Sequence, residues 1–316
     1  MKLLVTGGAG YIGSHVVKAA ADQGHECIAV DNLSTGLSKR LDVELIELDL
    51  ASHEAQGALV DLINENKFDA VIHLAARKQV GQSVEIPEQY YLDNIGGLAN
   101  LLLAMRGTGL KKLVFSSSAA TYGMPDVESV TEDYPGRPIN PYGETKLIGE
   151  WMLNNAKHWG LRGVNLRYFN VAGTAHPELN DTAALNLIPI AIAAIKSGKA
   201  PKVFGTDYPT ADGSCIRDYV HVADLADAHL AALDYLERAE RPFDTFNVGT
   251  GVGASVLDVL EELREACGFD FPIDLSDRRA GDPPKLVANV DRIRQVLNFE
   301  AKHSLKDIVS SAWAAS

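Results

Sequence analysis

The sequence is poor in cysteine and in positive charge, and each shortage excludes a class of protein. Its 316 residues include three cysteines, far apart and without a Cys-x-x-Cys spacing, which argues against a disulfide framework and a thiolate zinc or redox motif. Lysine and arginine number 29 against 42 acidic residues, so the formal net charge is -13. Nucleic acids and anionic membranes bind basic surfaces. We therefore expect neither as a partner, and without clustered histidines and carboxylates we expect no metal site.

Long apolar runs are missing as well. The apolar run at the N-terminus breaks at Gly7 and Gly8, too early for the core of a secretion signal. No stretch reaches the roughly 20 residues that a membrane-spanning helix needs. With 46% hydrophobic and 22% charged residues, the chain is large enough for one sizeable α/β core and a second, smaller unit. We therefore predict a cytoplasmic protein with reduced thiols.

The N-terminal segment has the pattern of a dinucleotide-binding turn. An apolar run over residues 2–6 is followed by Gly7-Gly8-Ala9-Gly10-Tyr11-Ile12-Gly13 and then by a helical pattern. Glycines there let the backbone turn sharply and approach a pyrophosphate at the N-terminus of the helix. A second predicted strand, over 27–30, ends in Asp31. An acid at that place accepts hydrogen bonds from the adenosine ribose and repels a 2′-phosphate, which favours NAD over NADP.

Strand and helix patterns alternate along the first half of the chain. Strands are predicted over 43–48, 70–74, 112–116 and 164–167, and helices over 58–63 and 87–105. This alternation predicts an α/β fold with a Rossmann-type, doubly wound parallel sheet. Ligands bind at the carboxyl ends of such strands. The residues that follow the strands, among them the serines at 116–118, are therefore candidate site residues.

The segment Asn140-Pro141-Tyr142-Gly143-Glu144-Thr145-Lys146 predicts a helix that begins beside Tyr142 and runs toward His158. Tyr142 and Lys146, four residues apart, are neighbours on one helix face. An ammonium beside a phenol favours the phenolate, so we expect the pKa of Tyr142 to fall from about 10 toward neutral pH. Such a tyrosine is a general base. An isolated pair of this kind would be a surface tyrosine and a solvated lysine.

Several motifs together resemble the extended short-chain dehydrogenase/reductase family: residues 6–13, 31–32, 115–123, 141–146 and 167–170. The stretches 204–222 and 247–251 are similar to the UDP-hexose 4-epimerases within that family, and the likeness covers nearly the whole chain. It implies an NAD-binding Rossmann domain over 1–170, with a return segment over about 217–248. A smaller C-terminal α/β domain over 171–316 would bind the nucleotide sugar.

The resemblance also implies a mechanism. Tyr142 takes the proton of the sugar 4-hydroxyl, Ser118 holds that oxygen, and a hydride passes from C4 to the nicotinamide. The 4-ketose turns over and receives the hydride on its other face. Lys146 assists Tyr142 and donates to the nicotinamide ribose. The implied substrates are UDP-glucose and UDP-galactose, while the N-acetyl and uronic-acid counterparts remain open. Leu286 would border the C2 substituent of the sugar.

The same resemblance implies two sets of binding residues. The cofactor-binding set lies in the glycine turn, at or after strand ends and on two of the predicted helices: Gly7, Gly10, Tyr11, Ile12, Gly13, Asp31, Asn32, Asp49, Leu50, Leu74, Ala75, Ala76, Lys78, Asn94, Ser116, Tyr142, Lys146 and Tyr168. The substrate-binding set, in which arginines meet the diphosphate bidentately, is Ser118, Tyr142, Asn170, Asn186, Leu187, Val203, Phe204, Arg217, Arg279 and Asp282. We expect Arg278 to be a solvated surface charge and His221 to be a packed histidine.

Two other functions must be weighed. Nucleotide-sugar dehydratases and decarboxylases carry acidic residues just after the position of Ser118, whereas this chain has Ala119 and Ala120, which cannot move a proton. A regulator that senses NAD without catalysis would be expected to have lost part of the set that is present here. Apolar residues such as Leu147 and Trp151, predicted to face outward, together with the resemblance, favour a homodimer.

Overall fold

The computed structural model describes residues 1–183, 185–279 and 281–316. The chain divides into two compact units. The first comprises Met1–Gly123, Gly136–Arg167 and Ala226–Phe246, and the second comprises Met124–Pro135, Tyr168–Leu225 and Asn247–Ser316.

Thirteen strands occur in the described residues: β1 (Lys2–Thr6), β2 (Glu26–Asp31), β3 (Glu44–Glu47), β4 (Ala70–His73), β5 (Lys112–Ser118), β6 (Arg162–Tyr168), β7 (Asn170–Ala172), β8 (Lys202–Phe204), β9 (Ile216–His221), β10 (Phe243–Val248), β11 (Gly253–Ser255), β12 (Asp274–Ser276) and β13 (Lys285–Leu286). The α-helices of the same residues are α1 (Tyr11–Asp22), α2 (Ala55–Asn66), α3 (Val80–Glu85), α4 (Pro87–Tyr90), α5 (Gly97–Thr108), α6 (Pro141–Ala156), α7 (Leu187–Lys196), α8 (Val222–Arg238), α9 (Val256–Cys267), α10 (Asp291–Leu297) and α11 (Leu305–Ala314). None of these helices is both long and apolar enough to cross a membrane, as far as the described residues go.

The large sheet has seven strands in the order β10-β6-β5-β4-β1-β2-β3. Strands β3, β2, β1, β4 and β5 pair in parallel, with Thr6 of β1 opposite Val30 on one side and His73 on the other. Apart from β10, this order is that of a doubly wound dinucleotide-binding sheet, whose chain reversal lies between β1 and β4. The predicted Rossmann-type fold is therefore confirmed.

The core of the first unit follows from the apolar character of its strands. Leu3, Leu4 and Val5 of β1 are fully buried, as expected for a parallel strand covered by helices on both faces. Leu59 of α2 and Leu101 of α5 belong to the same buried cluster as Leu4. This packing fixes the sheet edge at which the strands end.

The second unit has its own core and smaller sheets. Strand β9 pairs with β7, β11 and β13, and β8 pairs in parallel with β12. Helices α7, α9 and α11 contribute Ile188, Val259 and Ile308 to one buried cluster. A serine that caps α9 and another that caps α11 each form a capping box with the aspartate three residues later.

Two local predictions differ from the structure. The helix predicted over 87–105 is interrupted by a π-helical turn, Tyr91–Gly96, because the Asn94 amide bonds outside the helix and two glycines follow at 96–97, where helix propensity is low. Leu147, predicted to face outward, is buried, since α6 packs this side against Gly136, where an added Cβ would lie 2.9 Å from the Leu147 side chain.

Candidate active site

Helix α6 begins where the sequence predicts. The Asn140 side chain accepts a hydrogen bond of 2.8 Å from the Gly143 amide, and Pro141 occupies the first helical position. The helix then runs tightly against the sheet. A Cβ at Gly149 would lie 2.5 Å from the Phe115 ring of β5, so only glycine allows this approach. Tyr142 and Lys146 are consequently buried beside the end of β5, with 7% and 3% of their surfaces exposed.

The structure brings Ser118, Tyr142 and Lys146 together at that strand end. The Ser118 hydroxyl forms a hydrogen bond with Tyr142 and accepts one of 3.1 Å from the Ala120 amide. The Lys146 ammonium lies 5.9 Å from the centroid of the Tyr142 ring and donates a 2.8 Å hydrogen bond to the Ser116 carbonyl. The three side chains form a compact polar cluster within the first unit.

Burial decides the proton affinities of the cluster. It raises the pKa of Tyr142 to about 12, although the Ser118 hydrogen bond acts in the opposite direction and Tyr90 adds to the rise. Burial also lowers the pKa of Lys146 to about 7. The expected lowering of the Tyr142 pKa by Lys146 is therefore wrong for this structure. The reason is that burial of the phenol outweighs the Ser118 hydrogen bond, while burial of Lys146 leaves its amine only partly charged near neutral pH.

The glycine turn between β1 and α1 fits a dinucleotide. Gly7 has a φ of 73°, and a Cβ there would lie 2.6 Å from the Ala75 amide nitrogen, so the backbone of this turn is open only to glycine. Within the described residues, no side chain caps the N-terminus of α1, which leaves its amides available to an anion. The residues present therefore fit the pyrophosphate of NAD.

Asp31 lies at the end of β2, directly beside this turn. Its carboxylate accepts hydrogen bonds from the amides of Ala9, at 3.0 Å, and Leu33, at 2.9 Å. Burial raises the pKa of Asp31, and these backbone hydrogen bonds partly offset the rise. The Asp31 carboxylate is thus held in place by backbone amides of the site. Its contact with the ribose remains a prediction.

Most other predicted cofactor residues line the same strand ends, and several are fixed by neighbours. Asn94 bonds the Arg77 amide at 2.7 Å and the Thr145 hydroxyl of α6 at 3.0 Å. The Ser116 hydroxyl lies 2.8 Å from Nε2 of His229. The remaining members in the first unit are in the glycine turn, in the first turn of α1, at strand ends or in the loops that follow: Gly10, Tyr11, Ile12, Gly13, Asn32, Asp49, Leu50, Leu74, Ala75, Ala76 and Lys78. Tyr168 belongs to the second unit.

Within the second unit, two pairs of predicted substrate residues meet. Nη2 of Arg217, on β9, lies 3.5 Å from the Asp282 carboxylate, and its Nη1 donates to the carbonyls of Ile216 and Pro283. The Arg279 guanidinium lies 3.7 Å from the centroid of the Phe204 ring. Val203 is buried in β8, Asn170 begins β7, and the N-cap and first residue of α7 are Asn186 and Leu187.

Arg278 is exposed at the surface, as expected for a solvated charge, and it also has two neighbours. Its guanidinium pairs with Asp207 at 2.6 Å and lies 4.1 Å from the centroid of the Tyr208 ring. His221 is packed as predicted, with 2% of its surface exposed and Nε2 3.1 Å from the Ser311 hydroxyl.

Sequence reasoning missed a buried ion pair behind the cluster, formed by Glu150 of α6 and Arg167 of β6. A signal was available for Glu150, because it continues the four-residue spacing of Tyr142 and Lys146. A charged residue on the buried face of a helix requires a partner.

The family model that describes the NAD dependent epimerase/dehydratase family matches residues 3–249 of this chain. This chain belongs to that family. The match includes the glycine turn, Asp31 and the cluster of Ser118, Tyr142 and Lys146. Membership confirms that the chain is an NAD-dependent enzyme of the epimerase/dehydratase kind, as its motifs predicted.

Several similar members of the family are UDP-glucose 4-epimerases. The UDP-glucose 4-epimerase of Corynebacterium glutamicum is 42% identical over 322 residues, which cover 99% of this chain and 95% of that protein. The UDP-glucose 4-epimerase of Brucella ovis, solved in complex with NAD, has a TM-score of 0.94 at 41% identity and covers 99% of this chain and 97% of its own. The enzyme of that name from Stenotrophomonas maltophila, solved with NAD and formylated UDP-arabinopyranose, has a TM-score of 0.93 at 37% identity, with coverage of 100% and 97%.

Proposed function

We propose that this chain catalyses the NAD-dependent 4-epimerisation of a UDP-hexose, interconverting UDP-glucose and UDP-galactose through a 4-keto intermediate. The observation that carries the proposal is the cluster of Ser118, Tyr142 and Lys146, in the same unit as the glycine turn and Asp31. The similar proteins also support the proposal: they are named UDP-glucose 4-epimerases, two of them were solved with NAD, and one of these also with a UDP-sugar.

In this reaction, NAD supplies the acceptor for the hydride of C4 and returns that hydride to the same carbon. Tyr142 takes the proton of the 4-hydroxyl and gives it back, so the cycle needs no net proton exchange with water. The Ser118 hydroxyl holds the sugar oxygen and, through its hydrogen bond, lowers the pKa of Tyr142 against the effect of burial. Lys146 fixes the strand end through the Ser116 carbonyl and donates to the ribose next to the nicotinamide.

The glycine turn and the N-terminus of α1 hold the pyrophosphate of NAD, and Asp31 accepts from the adenosine ribose. In the second unit, Arg217 and Arg279 bind the diphosphate of the sugar nucleotide, Asp282 its ribose and Phe204 its uracil. Arg217 supports this assignment because it lies on a strand that is paired on both sides, so its guanidinium is presented from a rigid element.

Epimerisation is favoured over dehydration or decarboxylation by the two residues after Ser118. Ala119 and Ala120 begin the 3-10 turn Ala119–Tyr122, and neither carries a group that can remove the C5 proton. A regulator that binds NAD without catalysis has no need of the buried Ser118, Tyr142 and Lys146 cluster, whose burial is costly to the fold.

The test is to incubate the purified protein with UDP-galactose without added cofactor and to identify the nucleotide sugars formed. We expect UDP-glucose to appear, and NAD to be released when the protein is denatured. The Tyr142→Phe variant serves as the control for contaminating activity. A parent protein that carries NAD but leaves UDP-galactose, UDP-N-acetylgalactosamine and UDP-galacturonate unchanged would favour the regulator.

We also propose that the protein is a homodimer and works in the cytoplasm. Leu92, Leu103 and Trp151 lie on the π-helical turn, α5 and α6, and 57%, 48% and 57% of their surfaces are exposed, so a second copy that covered them would remove this apolar surface from water. The free thiols of Cys27, Cys215 and Cys267 suit a reducing compartment. Sedimentation of the parent and of Trp151→Glu tests the dimer, which the glutamate should weaken.

A further inference from the structure

The ion pair of Glu150 and Arg167 has features that a purely architectural contact does not need. Nε of Arg167 donates to one oxygen of the Glu150 carboxylate at 2.8 Å, and Nη2 donates to the other at 2.6 Å. Only 5% of Glu150 and 7% of Arg167 is exposed. Burial by itself lowers the pKa of Arg167, but the Glu150 carboxylate and, to a smaller extent, Tyr122 together more than offset this and raise it. Arg167 therefore keeps its charge, and the two side chains satisfy each other's hydrogen-bonding groups in this buried place.

A third residue connects this pair to the candidate active site. The Ser117 hydroxyl donates to the Glu150 carboxylate oxygen that also accepts from Nε of Arg167, at 2.5 Å. Ser117 stands between Ser116, whose carbonyl accepts from Lys146, and Ser118, whose hydroxyl bonds Tyr142. A shift of Ser117 would therefore move both contacts of the cluster.

The end of β5 is held from two directions. Successive side chains of a strand point to opposite faces. The Ser116 hydroxyl bonds His229 of α8, whereas the Ser117 hydroxyl bonds Glu150 of α6. Without the Glu150 contact, one of these two anchors would be missing at the point where the strand delivers Ser118.

Arg167 also contacts the segment on the other side of Ser118. Its guanidinium carbon lies 4.8 Å from the centroid of the buried Tyr122 ring, in the 3-10 turn that follows Ser118 directly. A guanidinium over an aromatic face is an attractive and oriented contact. The ion pair thus reaches Ser117 before Ser118 and Tyr122 after it.

The bidentate pairing with Arg167 also keeps the Glu150 carboxylate from pairing with Lys146 on the same helix. Glu150 follows Lys146 by four residues, the spacing at which a carboxylate and an ammonium pair on a helix. Arg167 occupies both oxygens of Glu150, and Lys146 bonds to the Ser116 carbonyl. Among the described residues, the titratable groups around the cluster include Tyr142 and Lys146 of α6, Tyr90 of α4, His73 of β4 and, next to Ser116, His229 of α8.

We propose that Glu150 and Arg167 are a positioning pair for the active site: through Ser117 and Tyr122 they fix the strand end that presents Ser118 to Tyr142 and the Ser116 carbonyl to Lys146. This inference rests on the proposed function and names residues beyond those that touch the reacting groups.

The test uses the whole, NAD-containing protein and begins with turnover of UDP-galactose by the parent, so that failure of the proposed function is seen first. Removing one partner of a buried pair leaves an uncompensated charge, whereas replacing both is far better tolerated. The decisive variant is therefore the double substitution Glu150→Leu with Arg167→Met, which removes the ion pair and the acceptor of the Ser117 hydroxyl together. Its thermal midpoint should be close to that of the parent.

For that double variant we expect kcat to fall by about 10- to 100-fold, since small misplacements of catalytic groups cost about this much, with KM changed by less than about threefold. A second readout is independent of turnover. The ionisation of Tyr142 is obtained by absorbance titration of tyrosinate, as the difference between each protein and its Tyr142→Phe derivative. Because the Ser118 bond lowers the pKa of Tyr142, loosening Ser118 should shift this ionisation upward.

Ser117→Ala removes the hydrogen bond between Ser117 and Glu150 but leaves the ion pair in place. It therefore tests the inference even if the double variant does not fold. We expect a smaller fall in kcat, about 3- to 10-fold, with the same upward shift of the Tyr142 ionisation and little change in thermal midpoint. Glu237→Gln is the matched control, because it breaks the Lys112 ion pair at the other end of β5 and should leave kcat unchanged. The inference would be overturned if Ser117→Ala, or a folded double variant, had the same kcat and the same Tyr142 ionisation as the parent.

Discussion

Lys146 donates its hydrogen bond to the carbonyl of Ser116, 2.8 Å away, and not to the tyrosine one helical turn before it. This contact holds the ammonium beside the strand end, where burial lowers its pKa to about 7. Burial raises the pKa of Tyr142 to about 12. As the pH rises, Lys146 therefore loses its proton before Tyr142 does. In isolated side chains the order is the opposite, because the pKa of tyrosine is slightly lower than that of lysine. The low pKa of Lys146 should be detectable in the pH dependence of the free energy of unfolding.

The first prediction concerns the free energy of unfolding at alkaline pH. In the folded chain Lys146 titrates near 7, and in the unfolded chain near its usual value, so between the two the unfolded chain binds more protons. Stability contributed by this residue therefore rises with pH in that window. Relative to Lys146→Met, the parent should gain about 1 kcal/mol per pH unit, and at most about 1.4 kcal/mol, from about pH 7.5 to 9.5, measured by urea unfolding of the two proteins.

Lys18→Met is the control for that experiment, since Lys18 is partly exposed on α1 and pairs with Asp22. Its stability should follow that of the parent across the same range. A constant difference between the parent and Lys146→Met would mean that Lys146 keeps an ordinary pKa in the folded protein.

The second prediction is that Tyr142→Phe abolishes most turnover and leaves NAD in place. The phenylalanine keeps the ring that packs beside Ser118 but cannot move a proton. General acid and base groups contribute about 10²–10⁴-fold, so kcat should fall by at least that order. The NAD content of the purified variant, determined after denaturation, should equal that of the parent. Turnover within a few-fold of the parent would remove Tyr142 from the mechanism.

Local signals predicted the parts of this site that depend on neighbours in sequence. Asn140 and Pro141 are helix-start residues, so the beginning of α6 followed from them directly. The interrupted helix before α5 did not follow, because the Asn94 amide finds its partners in Arg77 and Thr145, far away along the chain. The direction of the Tyr142 pKa was missed for a related reason. Burial of a phenol depends on the whole packed unit, whereas the spacing to Lys146 shows only that the two are close.

The third prediction separates substrate binding from cofactor binding. Truncating Arg217 to Ala should weaken the binding of UDP by about 1.5–3 kcal/mol, the value of a charge-assisted hydrogen bond, without changing NAD content. Calorimetric titration with UDP measures the loss. Arg278→Ala is the matched control, since Arg278 belongs to the same unit but pairs with Asp207. Equal UDP affinity in Arg217→Ala and the parent would contradict the assignment of the diphosphate to Arg217.

The last prediction concerns which sugars the enzyme accepts. Leu286 lies on β13, in register with Arg217 of β9, so its side chain is carried by the same paired strands as the proposed diphosphate ligand. The resemblance to the UDP-hexose 4-epimerases implies that this position borders the C2 substituent. A leucine there leaves less space for an acetamido group than a serine would, and overpacking a tight site costs about 1–3 kcal/mol. We therefore expect kcat/KM for UDP-N-acetylgalactosamine to be about ten- to hundredfold below that for UDP-galactose.

The matched variant for this prediction is Leu286→Ser, which opens the space without adding charge. It should raise kcat/KM for the acetamido sugar while changing that for UDP-galactose by less than about threefold, because the smaller substrate does not need the added room. A general loss of structure would lower both values together and is distinguished in this way. If the parent uses both sugars equally well, or if the serine brings no gain for the acetamido sugar, another residue sets the limit at C2.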